Sequence, residues 1–171
     1  MRVSLRHRAN SGFTLIEVMV ALVVLSIGLL GIAKLVLFGV RANDSAYLRT
    51  QAVNLAYGIL DSMRANSTVA QAGTYNVGLG PYGAPGQLCN VVATPCSGAQ
   101  EAAYDLYLWK QQVLASLPNG DGTVTTTVVP MPVGQLVTAV ITVQWDDAVA
   151  QATFNAAAPN TPVQITIESV L

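Results

Sequence analysis

The sequence predicts an α+β protein in which one long N-terminal helix packs on a small antiparallel sheet. An uninterrupted apolar run extends from Phe13 to Ala33, with Glu17 as its only ionisable side chain. An amphipathic pattern follows, and no proline stands before Pro81 to end the helix. The C-terminal part then alternates apolar and polar residues in β-branched segments, which is the pattern of half-buried strands.

The N-terminal region divides into a leader and an anchor. Residues 1–12 are polar and basic and contain the only histidine, His7. Residues 13–41 are hydrophobic, and at a helical rise of about 1.5 Å per residue they are long enough to cross a hydrocarbon core of about 30 Å. We therefore expect a cleavable leader followed by a single transmembrane helix.

Residues 42–65 continue the helix with an amphipathic face, which predicts the spine of a globular head. Their apolar positions recur every three or four residues: Leu48, Ala52, Leu55, Ala56, Ile59 and Met63. Between residues 13 and 65 the strongest helix-weakening residues are glycines, and there is no proline, so we expect one continuous helix over that range.

Residues 66–171 form the predicted head, which opens with an irregular region rich in glycine and proline up to Gly98. Ser97 and Gln100 have the spacing of a capping box, and the apolar stripe after them predicts a second helix. Trp109 lies on that stripe and is expected in the core. The segment Pro118-Asn119-Gly120 ends the helix.

The rest of the head predicts an antiparallel sheet with one polar face. The expected strands are Thr123–Val129, Val137–Trp145 and Val163–Ile167, with Val149–Phe154 as a possible further strand. Asp146 and Asp147 are expected in a solvated turn between strands.

The border between leader and apolar run has the sequence Gly12-Phe13-Thr14-Leu15-Ile16-Glu17. A glycine at the end of a basic leader, then phenylalanine, then Thr-Leu-x-Glu resembles the prepilin signal of type IV pilins and type II secretion pseudopilins. The resemblance implies a type IV pilin-like fold and cleavage between Gly12 and Phe13 by prepilin peptidase, with N-methylation of Phe13.

The same resemblance implies that Glu17 pairs with the N-terminal amine of a neighbouring subunit during assembly. A carboxylate buried among apolar helices needs an opposite charge, because an unpaired charge there costs several kcal/mol. The alternative, on position alone, is a helix-end acid that lies among lipid headgroups.

The distribution of charge and cysteine indicates the compartment. The leader holds three arginines, against Lys34 and Arg41 after the apolar run, which favours a cytoplasmic N-terminus and a periplasmic head on a single-pass inner-membrane anchor. Cys89 and Cys96 are the only cysteines, and on that oxidising side they fit a disulfide that closes a short loop. Two buried free thiols are the alternative.

The head adds a shorter resemblance, to minor pilins of the PilV type, also called pilus modification proteins. It consists of Asp105 and Trp109 on the predicted helix, Leu117-Pro118-x-Gly120-x-Gly122 after it, and a strand that ends in Val143-x-Trp145. The resemblance implies a minor pilin that acts in pilus assembly or initiation, at or near the tip, and that ends on the cell surface. The implied partners are prepilin peptidase, other minor and major pilins, the inner-membrane assembly platform and, as a further candidate, a large tip adhesin.

Three alternatives are weighed against this interpretation. A minor pseudopilin of type II secretion shares the signal, although the cysteine pair and the Leu117–Gly122 segment weigh against it. An adhesive or DNA-uptake tip subunit would use a surface patch of Tyr75 and Tyr82, but a net charge of −5 beyond residue 65 disfavours direct binding of nucleic acid. A signal-anchored periplasmic enzyme would lack any histidine once the leader is removed.

No catalytic residue, metal site or cofactor is expected. Two cysteines without histidine do not make a four-ligand zinc site, and Asp121 lacks the further acids of a calcium loop. Gly78-x-Gly80-x-x-Gly83 matches a dinucleotide loop in form only, because no strand precedes it. The glycosylation sequon at Asn66 is expected to be accidental.

Overall fold

The computed structural model describes residues 12–90, 95–147 and 162–171. Within these ranges the helices are α1 (Leu15–Ala65), α2 (Ser67–Gln71) and α3 (Gly98–Ser116), and the strands are β1 (Asp121–Pro130), β2 (Gln135–Trp145) and β3 (Val163–Val170). The strands form one antiparallel sheet in the order β1-β2-β3. The predicted α+β architecture, with a long N-terminal helix and a small antiparallel sheet, is confirmed.

The chain divides into two compact units between Arg41 and Ala42, and α1 passes through both. In the first unit, every described side chain is exposed. Among the described residues, α1 is the one helix that is long and apolar enough to cross a membrane. Its N-terminal half therefore fits the expected membrane anchor in length and composition.

In the second unit, the C-terminal half of α1 supplies one side of the core. Its fully buried residues are Ala52, Ala56, Ile59, Leu60 and Met63, and Leu48 and Leu55 pack partly buried beside them. These positions are three or four residues apart, so they lie on one face of the helix. The predicted apolar stripe is confirmed, with Leu60 as an additional member.

Helix α3 packs against this face and begins where the sequence predicts. The side chain of Ser97 accepts from the backbone N–H of Gln100, and the Gln100 side chain accepts from the backbone N–H of Ser97, which is a complete capping box. Trp109 is buried, as expected, and its indole N–H donates to the carbonyl oxygen of Leu55 at 2.9 Å. This bond joins the middle of α3 directly to α1.

The core face of the sheet is carried by alternate residues of β2, namely Val137, Ala139, Ile141, Val143 and Trp145. The three predicted strands are confirmed, each with somewhat longer bounds. The possible strand Val149–Phe154 lies outside the described residues. The short helix α2 was not expected, because the prediction for the region after Asn66 was irregular throughout.

The expected solvated turn at Asp146 and Asp147 is wrong for the second of these residues. Asp147 is only 3% exposed, and its carboxylate accepts a hydrogen bond from the hydroxyl of Ser45. The neighbouring Asp146 accepts from the side-chain amide of Asn119 at 2.7 Å. The segment after β2 is therefore fastened to α1 and to the end of α3, a pairing across many residues that local turn chemistry does not reveal.

Candidate processing and assembly site

Helix α1 begins at a side-chain cap. The carbonyl oxygen of Thr14 accepts from the backbone N–H groups of Glu17 and Val18, at 3.1 and 3.3 Å, and its hydroxyl oxygen lies 3.4 Å from the Glu17 nitrogen. Thr14 is thus the residue that satisfies the first unpaired donors of the helix. This cap was not predicted, although the T-x-x-E spacing of Thr14 and Glu17 is a signal for it in the sequence.

The predicted cleavage bond lies ahead of this cap. Gly12 and Phe13 are outside the helix, and the Phe13 side chain is 84% exposed. A protease needs an accessible, non-helical peptide bond, because helical backbone groups are already bonded to one another. The Gly12–Phe13 bond has that geometry in the precursor chain.

Glu17 lies in the first turn of α1, one turn after Phe13. Phe13 and Glu17 line the same shallow apolar surface along the helix, together with Val18, Ala21, Leu22 and Leu25. Among the described residues, the carboxylate of Glu17 has no hydrogen-bond or ion-pair partner. The acid therefore stands in an apolar surrounding at the helix start, beside the residue whose amine cleavage would release.

Residues 7–33 match the family described as "Prokaryotic N-terminal methylation motif". The chain carries a prepilin-type N-terminal signal. The matched range contains Gly12, Phe13, Glu17 and the first part of α1, and the signal is that of type IV pilin-like and pseudopilin-like proteins. It implies processing by prepilin peptidase and assembly from the membrane. No curated protein and no solved structure matches the chain significantly.

The head that follows the prepilin-type signal is cross-linked at the start of α3. Cys89 and Cys96 form a disulfide, so the alternative of two free thiols is wrong. Cys96 immediately precedes the N-cap Ser97, and the Gln100 side chain also donates to the side chain of Gln87 at 2.9 Å. The disulfide and this amide pair hold the glycine-rich region against the first turn of α3.

A buried ion pair joins the other end of α3 to β1. Lys110 is 6% exposed, and its ammonium donates to Asp121 at 2.5 Å and to the carbonyl oxygens of Gly78 and Gly80 at 2.9 and 3.2 Å. Burial alone would raise the pKa of Asp121, but the hydrogen bond from Lys110 and those from the backbone N–H groups of Gly80 and Gly122 lower it below its usual value. The sequence gives no local signal for this pair, because its members lie on different elements.

The ion pair lines a pocket of about 350 Å³ that also contains Tyr82, Leu114 and Asn119. All three donors of the ammonium already have acceptors, so Lys110 is a structural cation here and not a free nucleophile. Among the described residues, no group of three or more histidine, cysteine or acidic side chains is placed to hold a metal ion.

Hydrogen bonds of Tyr75 and Asn66 exclude two of the sites that the sequence offers, a surface tyrosine patch and a glycosylation site. Tyr75 is fully buried and donates to the carboxylate of Asp105 at 2.7 Å, so a surface patch of Tyr75 and Tyr82 is wrong. Burial, followed by the hydrogen bond to Asp105, raises the pKa of Tyr75. The side-chain amide of Asn66 donates to Gly98 at 2.7 Å, which leaves it unavailable as a glycosylation acceptor.

Close packing explains the two glycines of the Leu117–Gly122 segment. A Cβ at Gly120 would lie 2.5 Å from the carbonyl oxygen of Val113, and one at Gly122 would lie 2.6 Å from the indole ring of Trp109. The chain therefore turns from α3 into β1 in close contact with the helix it has just left. Only glycine allows that approach without displacing the backbone or the indole.

Proposed function

We propose that this chain is a minor pilin of a type IV pilus, processed by prepilin peptidase and acting in pilus assembly or initiation at or near the tip. The observation that carries the proposal is the prepilin-type signal, with an exposed Gly12–Phe13 bond and an unpaired Glu17 one turn later. Proteins with this signal are typically structural subunits, and we propose the same kind of role for this chain.

In this proposal, residues 1–12 are the leader, 13–41 the membrane and assembly helix, 42–65 the spine of the head and 66–171 the head itself. Cleavage exposes the amine of Phe13, which is then methylated. Glu17 pairs with the corresponding amine of a neighbouring subunit, because each charge removes the other's desolvation penalty inside a bundle of apolar helices. The head, which is acidic, then determines which subunits are neighbours.

The proposed location follows from the same elements. The N-terminus is cytoplasmic, the helix is held in the inner membrane and the head is periplasmic until assembly draws the chain into the pilus. The Cys89–Cys96 disulfide supports an oxidising compartment for the head. The proposed partners are prepilin peptidase, other minor and major pilins, the inner-membrane platform and, as a further candidate, a large tip adhesin.

A minor pseudopilin of type II secretion is the second candidate, because the prepilin-type signal is common to both classes. The disulfide loop and the Leu117–Gly122 segment weigh against it, and the Leu117–Gly122 segment also supports the pilus assignment through its similarity to PilV-type minor pilins. The burial of Tyr75 removes the patch on which an adhesive or DNA-uptake role was considered.

The test is the intact mass of the protein, recovered separately from sheared surface filaments and from membranes. A species in the filaments that begins at methylated Phe13 and is lighter by two hydrogens for the disulfide is the expected result. A processed species confined to membranes would favour the secretion pseudopilin. A chain that begins at Met1 in both fractions would contradict the processing claim.

A further inference from the structure

The end of the β1–β2 hairpin is an exposed, uncharged surface. No charged side chain stands between Asp121 and Asp146, and residues 127–135 are all exposed. Val128 and Val129 project to opposite faces of the sheet and are 47% and 51% exposed, so both faces of the hairpin lie open. Val133, at the turn, is 93% exposed. Exposed strands usually carry charge as protection against association, and this hairpin carries none.

This surface lies at the end of the head away from the point where the chain enters it. Asp147, after the end of β2, bonds to Ser45 near the start of the head portion of α1. Ser169, which is paired with the opposite end of β2, bonds to Arg64 at the C-terminal end of α1. The strand β2 therefore runs back along α1, and its N-terminal end, with the hairpin turn, extends past Arg64.

The outer edge of β1 is protected along most of its length. Alternate residues of β1 direct their backbone groups away from β2. Among these, Val124 exchanges two hydrogen bonds with Val77, at 2.9 and 3.0 Å. The N–H of Thr126 donates to the side-chain oxygen of Asn76 at 2.7 Å. The edge is thus covered by the segment Asn76–Val77 as far as Thr126.

Val128 and Pro130 are the two remaining outward-facing positions of β1, since the N–H of Gly122 at the start of the strand is bonded to the Asp121 carboxylate. Pro130 has no N–H. Among the described residues, the N–H and the carbonyl oxygen of Val128 have no partner on the side away from β2. Val128 thus offers both of its backbone groups, as Val124 does to Val77, and its sequence neighbours are Thr127 and Val129.

We propose that Val128 and its neighbours Val129, Met131 and Val133 receive an extended, uncharged strand from the head of a different prepilin-type subunit. This inference rests on the proposed function, which supplies neighbouring heads. The open backbone pair requires a partner backbone, so the occupant is a strand and not a helix. The hairpin is the part of an acidic head at which another acidic head meets no opposing carboxylates.

Antiparallel pairing of β1 with the β1 edge of a second copy does not fit chains held in one membrane. Two β1 edges paired antiparallel around Val128 are related by a twofold axis perpendicular to the sheet, which would point the two Ala42 ends in opposite directions. Chains anchored in one membrane enter their heads from the same side. The proposed partner is a chain of different sequence whose contacting strand runs opposite to β1, and an adduct with a second copy is an outcome that would overturn this choice.

The test is site-specific photo-crosslinking of the full-length chain in the membranes of its own cells. The photoreactive residue p-benzoylphenylalanine replaces Val133, with a matched probe at Leu114, which is exposed on α3 beside Asn119 and Asp121, at the opposite end of β1. Adducts are identified by mass spectrometry. The same experiment is repeated in Val129→Lys and Thr125→Lys backgrounds, since Thr125 is exposed on the same face of the same strand where the edge is already covered.

The expected result is an adduct at Val133, absent at Leu114, with another chain that carries a prepilin-type signal. Val129→Lys should reduce that adduct about tenfold, the equivalent of losing one buried apolar contact, and Thr125→Lys should leave it unchanged. An adduct with a second copy, an adduct with a protein that lacks the signal, no adduct, or equal yields in the two lysine backgrounds would overturn the inference. The N-terminus of the chain is measured in the same samples. A chain processed at Phe13 that gives no such adduct overturns this inference alone, whereas an unprocessed chain contradicts the proposed function.

Discussion

The ammonium of Lys110 and the carboxylate of Asp121 are 2.5 Å apart, and this pair joins α3 to the first residue of β1. The lysine side chain is 5% exposed and the aspartate 22%, so solvent screens the pair little. The same ammonium holds the carbonyl oxygens of Gly78 and Gly80. One buried cation therefore fixes three separate segments of the head.

We predict that Asp121 makes the head sensitive to acid. Because the folded protein holds the pKa of Asp121 below its ordinary value of 3.8, the stabilisation is complete above that value and is lost as the pH falls through the lower folded pKa. Denaturation of the full-length chain in detergent, followed by tryptophan fluorescence from pH 6 to pH 3, should show a fall in the free energy of unfolding below about pH 4.

Asp121→Asn should be less stable than the native chain at pH 6 by about 1–3 kcal/mol and should flatten that acid dependence. Asp61→Asn is the matched control, because Asp61 is mostly exposed on α1. An acid dependence that is the same in Asp121→Asn as in the native chain would assign it to other groups.

Gly120→Ala should destabilise the head by roughly 1–3 kcal/mol, because its Cβ would approach the Val113 carbonyl oxygen to 2.5 Å and the backbone must move. Gly83→Ala is the control, since no atom lies within 4 Å of its added Cβ. Urea denaturation of both variants gives the comparison. Equal stability of the two would show that the turn from α3 into β1 relaxes without cost.

The local patterns of the sequence predicted α1, α3 and its capping box, the burial of Trp109 and three of the strands. Each of these depends on residues a few positions apart, which is the range over which periodicity and capping act. The burial of Tyr75 and Asp147 was not predicted, because their partners, Asp105 and Ser45, lie on other elements. Long-range polar pairs leave no periodic signal, and such residues resemble solvated side chains in the sequence.

The functional features likewise divide into those that a local motif predicts and those that depend on long-range pairing. The signal at Gly12, Phe13 and Glu17 was found from sequence because the motif is contiguous. The open edge at Val128 was not, because it follows from which neighbours cover Val124 and Thr126. Strand pairing decides that property, and no short motif encodes it.

Replacing both Cys89 and Cys96 with serine should lower the free energy of unfolding by about 2–3 kcal/mol, since the closed loop is short. Without the disulfide, the segment that precedes Ser97 is less restrained, and Ser97 is the N-cap of α3. Thermal unfolding of the native chain with and without reductant, beside the double variant, gives the measurement. If the double variant unfolds at the same temperature as the oxidised native chain, the disulfide has no stabilising role. If it unfolds at the temperature of the reduced native chain, the stabilising role is supported.

Gly12→Ala should yield an uncleaved precursor retained in the membrane. No atom lies within 4 Å of a Cβ added at Gly12, so the substitution leaves the fold unchanged and tests recognition by the peptidase alone. Gly28→Ala, which is equally uncrowded but inside α1, is the control and should be processed normally. The measurement is the intact mass of the membrane-bound chain. Normal trimming of Gly12→Ala would refute the proposed cleavage site.

Glu17→Ala should separate processing from assembly. The variant keeps Gly12, Phe13 and the Thr14 cap, so we expect cleavage and methylation to proceed at the native rate. Its incorporation into filaments should fall at least tenfold, because the amine of a neighbouring subunit would be buried without a counter-charge, at a cost of several kcal/mol.

The control for Glu17→Ala is Glu101→Ala, which removes an exposed acid from the first turn of α3 and leaves α1 intact. The ratio of filament to membrane protein, measured for chains of processed mass, compares the two variants directly. If Glu17→Ala enters filaments as well as Glu101→Ala does, Glu17 has no part in pairing. The charge of the Phe13 amine would then have to be neutralised by another group or remain at the membrane surface.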